Sequence, residues 1–141
     1  MYSAPTGKPL LFLAALTKLV LKSNAFRAYL ALAPVVAALC LLSHCKAYCY
    51  LASQIWLAPL AYIYVHETAQ YLALDTDVLL KLEGGYVVLE PLGRPKRPRG
   101  ALIAGTLAPA SVGALAVTVA PLFSAIIFIS TVLTLARYVG G

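Results

Sequence analysis

Hydrophobic and polar positions fall along this chain in long blocks. Leu10–Leu21 is apolar and carries one charge, Lys18. Ala28–His44 has no formal charge apart from a histidine proton. Tyr50–Leu74 is apolar until it reaches His66, Glu67 and Gln70, and Ala101–Ala136 has no charge at all. The charged interval is Asp75–Arg99. A membrane-spanning helix needs about 20 predominantly apolar residues. The blocks therefore predict spans at residues 28–44, 50–74, 101–119 and 121–138.

The uncharged stretch 101–136 is too long for one span at about 1.5 Å per residue. Pro109 and Pro121 divide it, and one broken helix is the alternative to two spans. Residues 8–22 are too short to span, and the basic flank Lys18, Lys22 and Arg27 lies mostly behind the apolar core rather than before it. A signal-peptide core is thus a poorer reading than a short helix at the interface with snorkelling lysines. Met1–Lys8, with Pro5 and Gly7, reads as a frayed start. In the charged loop, residues 76–99, two β-favouring runs, Val78–Glu83 and Tyr86–Glu90, flank Gly84-Gly85 and predict a hairpin. Pro91 and Pro95 end the pairing and begin a rigid basic linker. The expected architecture is a single integral membrane domain over residues 1–141. It is an all-α membrane protein of about four transmembrane helices, with a short N-terminal interfacial helix and a small β-hairpin.

Composition agrees. The chain is 62% hydrophobic and 11% charged, whereas soluble domains are about 45–50% apolar and about 25% charged. The net charge of +6 would suggest nucleic acid in a soluble protein, but here the cations sit in short loops between apolar runs. That is a topology pattern. Arg94, Lys96, Arg97 and Arg99 are read as a topology signal that also meets lipid headgroups, in preference to nucleic acid. The lysines and arginines put the N-terminal region, the basic loop and the C-terminus on the cytoplasmic side of the cell membrane, leaving only Lys46 on the other side. Lys46 and the tyrosines Tyr48 and Tyr50 mark an interface, and Trp56 lies in the first half of the span that follows.

The three cysteines, Cys40, Cys45 and Cys49, cluster with His44. Their spacing matches neither a Cys-x-x-Cys metal knuckle nor a haem-attachment motif. They are small hydrophobes at a helix end or, on the oxidising side, the source of a disulfide such as Cys45–Cys49.

His66, Glu67 and Gln70 carry the candidate chemistry. Residues four apart share a helical face, so His66 and Gln70 point together with Glu67 beside them. An ionisable pair in a span costs about 2.5–3.5 kcal/mol per charge at mid-helix on insertion scales and is a functional candidate for that reason. In His-Glu-x-x-His, two imidazoles on one face bind zinc and the glutamate activates its water. Here Gln70 takes the place of the second histidine, and an amide oxygen is a poor zinc ligand beside imidazole. A packing role, in which the group hydrogen-bonds to Tyr62, Gln70 or a Ser/Thr of another span, competes with metal or peptide binding.

The stretch Val65-His66-Glu67-Thr68-Ala69-Gln70-Tyr71-Leu72 resembles the active-site helix of the site-2 protease family of intramembrane zinc metalloproteases. The order of a hairpin near Leu80–Leu89 and a helix with Ala104-Gly105-Thr106-Leu107-Ala108-Pro109-Ala110 is similar to that family as well. The resemblance implies His66 as a zinc ligand, Glu67 as the general base, and Gln70 in the second ligand position. It also implies a third, aspartate ligand on a later span, yet no Asp, Asn, Glu or His follows Glu90. Asp75 and Asp77 do not match that position and read as solvated charges at the loop start. The resulting expectation is a protease-like membrane protein, catalytically impaired, with zinc as its only candidate cofactor. Its partners are the lipid bilayer and a transmembrane helix of a substrate or partner subunit. The alternative is a non-enzymatic membrane subunit or scaffold of a larger complex.

Overall fold

The fold, taken from a computed structural model, is described over residues 1–42, 46–84 and 86–140. In order the elements are β1 (Tyr2–Ala4), α1 (Pro9–Lys22), α2 (Asn24–Leu30), α3 (Ala33–Leu42), α4 (Lys46–Ala73), β2 (Val78–Glu83), β3 (Tyr86–Pro91), α5 (Pro98–Ala116) and α6 (Pro121–Gly140). They form two compact units. Met1–Leu30 and His66–Gly105 make unit 1, and Ala31–Val65 and Thr106–Gly141 make unit 2.

Unit 1 is built on a three-stranded antiparallel sheet of order β1-β2-β3. The hairpin forms where the Gly-Gly pair predicts it. Glu83 pairs with Tyr86, and Gly84 has a φ of 56°, the left-handed conformation that glycine adopts without steric cost. Gly85 lies outside the described residues. Lys81 and Glu90 sit diagonally across the two strands and form an ion pair. The hydrogen bond to Glu90 holds the Lys81 ammonium above the usual lysine pKa.

The N-terminus is not frayed. Tyr2, Ser3 and Ala4 pair with Leu80, Leu79 and Val78, and Ala4 is fully buried. Pro5 ends this strand, and Pro9 opens α1 at a position that needs no N–H donor. Phe12, Ala15, Leu16, Leu19 and Val20 then recur at helical spacing and form one buried face. Ser23 closes α1 and caps α2, its Oγ accepting the Phe26 N–H at 3.3 Å.

In the stretch expected to span at 28–44, where Pro34 in the apolar run predicts a kink, the chain forms two helices. They are separated by a turn at residues 31–32. Pro34 has no N–H, and its ring would meet the carbonyl of Leu30 four residues back, so α2 stops at Leu30. His44 lies outside the described residues.

Residues 101–138 form two helices joined by a short turn at 117–120, not one broken helix. α5 begins at Pro98, so Arg99 belongs to its first turn and not to the linker. In unit 2 the Ser124 hydroxyl donates to the Gly113 carbonyl at 2.5 Å. The Gln54 amide oxygen accepts the N–H groups of Leu122 and Phe123 at 3.0 and 3.1 Å, capping the start of α6.

Among the described residues, three helical stretches are long and apolar enough to cross a membrane: Asn24–Leu42, Pro98–Ala116 and Pro121–Val139. They carry exposed large apolar side chains such as Leu41, Leu107 and Leu133, which suits an integral membrane protein. α4 has the length, at 28 residues, but is not one of the three. Gln54, His66, Glu67 and Gln70 dilute its hydropathy.

Candidate functional site

The site lies in unit 1, on the last two turns of α4 and the start of α5. His66 is 5% exposed and Glu67 8%. Nδ1 of His66 lies 2.5 Å from the carbonyl oxygen of Gly105. A carbonyl only accepts, so Nδ1 carries the proton and Nε2 carries the lone pair. That lone pair faces Nε2 of Gln70 at 3.1 Å, and the amide N–H donates to it. Both ring nitrogens of a neutral imidazole are therefore engaged.

The sequence builds this arrangement twice over. In an α-helix the carbonyl of Gly105 would accept from the N–H four residues on. That residue is Pro109, which has none, so the Gly105 oxygen stays available to His66. Gly105 also lacks a side chain where Gln70 needs the room. A Cβ there would sit 2.9 Å from Gln70 Nε2 and 3.1 Å from its Cδ.

Of the partners that a packing role offered, Gln70 meets the imidazole at Nε2. Tyr62 donates to Thr134 Oγ1 in unit 2, at 2.6 Å. The Glu67 carboxyl makes no hydrogen bond or ion pair among the described residues. Asp75 and Asp77 are exposed charges at the loop start, as expected, and each also accepts a backbone N–H. Asp77 accepts the Thr6 N–H at 2.6 Å and Asp75 the Lys96 N–H at 3.0 Å, which ties the N-terminal segment and the basic linker to the end of α4. Between them and the histidine stands Tyr71. Its hydroxyl donates to the Pro5 carbonyl at 2.5 Å and accepts the Lys8 N–H at 2.9 Å, and its ring stacks on Phe12 at 4.2 Å. Sequence reasoning missed Tyr71 and the Gly105 carbonyl. The Gly105–Pro109 spacing was the available signal for the second.

No three His, Cys, Asp or Glu side chains converge on one point among the described residues. A catalytic zinc centre uses three protein ligands with one open position. One imidazole, whose Nε2 accepts from an amide, and that amide do not fit that requirement.

Arg94, Lys96, Arg97 and Arg99 are all exposed. In unit 2 the disulfide joins Cys40 to Cys49. Cys49 thus pairs across the α3–α4 connection and not with Cys45, which lies outside the described residues. No protein-family model, curated protein or solved structure matches the chain.

Proposed function

We propose that this chain is a small polytopic membrane protein resembling a site-2-protease-like metallopeptidase, catalytically impaired, that binds a transmembrane helix of a substrate or partner subunit. α4 is the fourth span in this reading. The basic loop and the C-terminus face the cytoplasm, because the cations concentrate there. The observation that carries the impairment is Gln70 on the remaining ring nitrogen of His66, since the bond to the Gly105 carbonyl is one that a metal-ligating histidine also makes. With Nδ1 protonated toward Gly105, the lone pair left for a metal is that of Nε2, and here it accepts from an amide. No hydrolytic step is assigned to Glu67.

The same clasp favours the second reading, a non-enzymatic membrane subunit or scaffold, since it spends the histidine on helix packing. The two readings separate in the metal content of the purified protein. Gln70→His restores His-Glu-x-x-His on one helical face. The protease-like reading expects this variant to gain measurable zinc affinity, and to lose it again with His66→Ala added. A folded Gln70→His protein that gains no zinc leaves the scaffold reading.

A further inference from the structure

We infer that the outer face of α1 is a docking surface for an anionic lipid leaflet. With about 100° between successive residues, Leu10, Ala14 and Leu21 fall on one arc and Lys18, Leu11 and Lys22 continue it. The opposite arc holds the buried Phe12, Leu16, Leu19 and Ser23. The leucines of the outer arc are strongly exposed, at 80% for Leu10, 53% for Leu11 and 47% for Leu21.

A span does not explain them. α1 has 14 residues, about 21 Å at 1.5 Å each, against a hydrocarbon core of about 30 Å. Charge identifies the occupant. Lys8 lies just before the helix, Lys18 within the arc and Lys22 at its end, the last with its ammonium 4.9 Å from the Tyr2 ring. α1 has no acidic residue. Leucines edged by lysines are the composition of a helix lying in the headgroup layer, its apolar side chains in the acyl boundary and its ammonium groups on phosphate. A neutral protein groove would match the leucines and leave the lysines without a counter-charge.

The inference rests on the chain being membrane-inserted and is independent of the protease-like reading. Its test uses the full chain reconstituted in phosphatidylcholine vesicles, with or without phosphatidylglycerol, whose acyl chains carry bromine as a quencher. The chain has one tryptophan, so Leu11→Trp in a Trp56→Phe background reports one site. Leu21→Trp is a second reporter on the same arc, and Leu133→Trp on α6 is the membrane control. Both α1 reporters should be blue-shifted and quenched by brominated lipid when phosphatidylglycerol is present. Lys8→Gln with Lys18→Gln should return them toward the emission of a tryptophan in water. Quenching by aqueous acrylamide alone would overturn the inference. So would a blue shift without lipid quenching, which would mean that protein covers the face, or quenching indifferent to both phosphatidylglycerol and the lysines. If the Leu133→Trp control is itself unquenched, membrane insertion fails and this inference fails with it. If only the α1 reporters are unquenched, insertion stands.

Discussion

His66 and Gly105 are joined by a hydrogen bond of 2.5 Å from imidazole Nδ1 to the main-chain carbonyl, 39 residues apart in sequence. The carbonyl is available because Pro109 has no N–H to offer it. The approach is close enough because Gly105 has no side chain against Gln70. A glycine in the facing helix and a proline four residues after it thus leave the histidine its acceptor.

Gly105→Ala should therefore destabilise the protein more than an ordinary glycine replacement in a helix. Its Cβ would press on Gln70, and overpacking of this kind costs about 1–3 kcal/mol. Gly100→Ala is the control, because its Cβ meets only the Arg97 Cβ at 3.4 Å. Thermal unfolding in detergent should show a clear loss for the first variant and none for the second. Equal behaviour would mean that Gln70 moves aside freely.

At the hairpin, Gly84→Val places a β-branched residue at a φ of 56°. The left-handed conformation costs about 1–2 kcal/mol for a residue with a Cβ. Limited proteolysis should cut the β2–β3 connection faster in this variant, while Gly84→Asn, which tolerates that region, should stay close to the parent.

Gln54 is 4% exposed, and its oxygen is shared by two backbone N–H groups of α6. Its own Nε2 is buried and has no hydrogen-bond partner among the described residues. Gln54→Leu strands both N–H groups, at about 1–3 kcal/mol for each buried unsatisfied group, and relieves one unpaired donor. A net fall in melting temperature is expected. An unchanged or higher value would mean that the cap contributes less than the orphaned amide nitrogen costs.

Orientation is tested by cysteine labelling in reconstituted protein or whole cells, with Cys40, Cys45 and Cys49 replaced. Arg97→Cys should react only from the cytoplasmic side and Lys46→Cys only from outside. Labelling of Arg97→Cys from outside would reverse the orientation or change the number of spans.

Much of the architecture was legible in the residue pattern. The Gly-Gly pair between β-favouring runs placed the hairpin, and Pro121 marked the start of α6. What was not legible depends on partners distant in sequence. Tyr2-Ser3-Ala4 is too short to read as a strand and becomes one because β2 offers it an edge. Tyr71 looks like one more interfacial aromatic until Pro5 and Lys8 fold onto its hydroxyl. Pro34 inside an apolar run reads as a kink in one helix, yet it stands in the first turn of α3, after α2 has ended at Leu30. At the site, the shared face of His66 and Gln70 follows from their spacing of four, but their meeting with Gly105 needed the fold to bring α5 alongside.

The most direct test of the central claim is ¹⁵N NMR of His66 in labelled protein, with His44→Gln removing the only other histidine. Because Gly105 accepts from Nδ1 and Gln70 donates to Nε2, the spectrum should show a protonated Nδ1 and an unprotonated, hydrogen-bonded Nε2. Gln70→Leu should shift the Nε2 resonance toward that of a free lone pair and leave Nδ1 in place. A proton on Nε2, or an Nε2 resonance that ignores Gln70→Leu, would contradict the clasp and return His66 to the role of an open ligand.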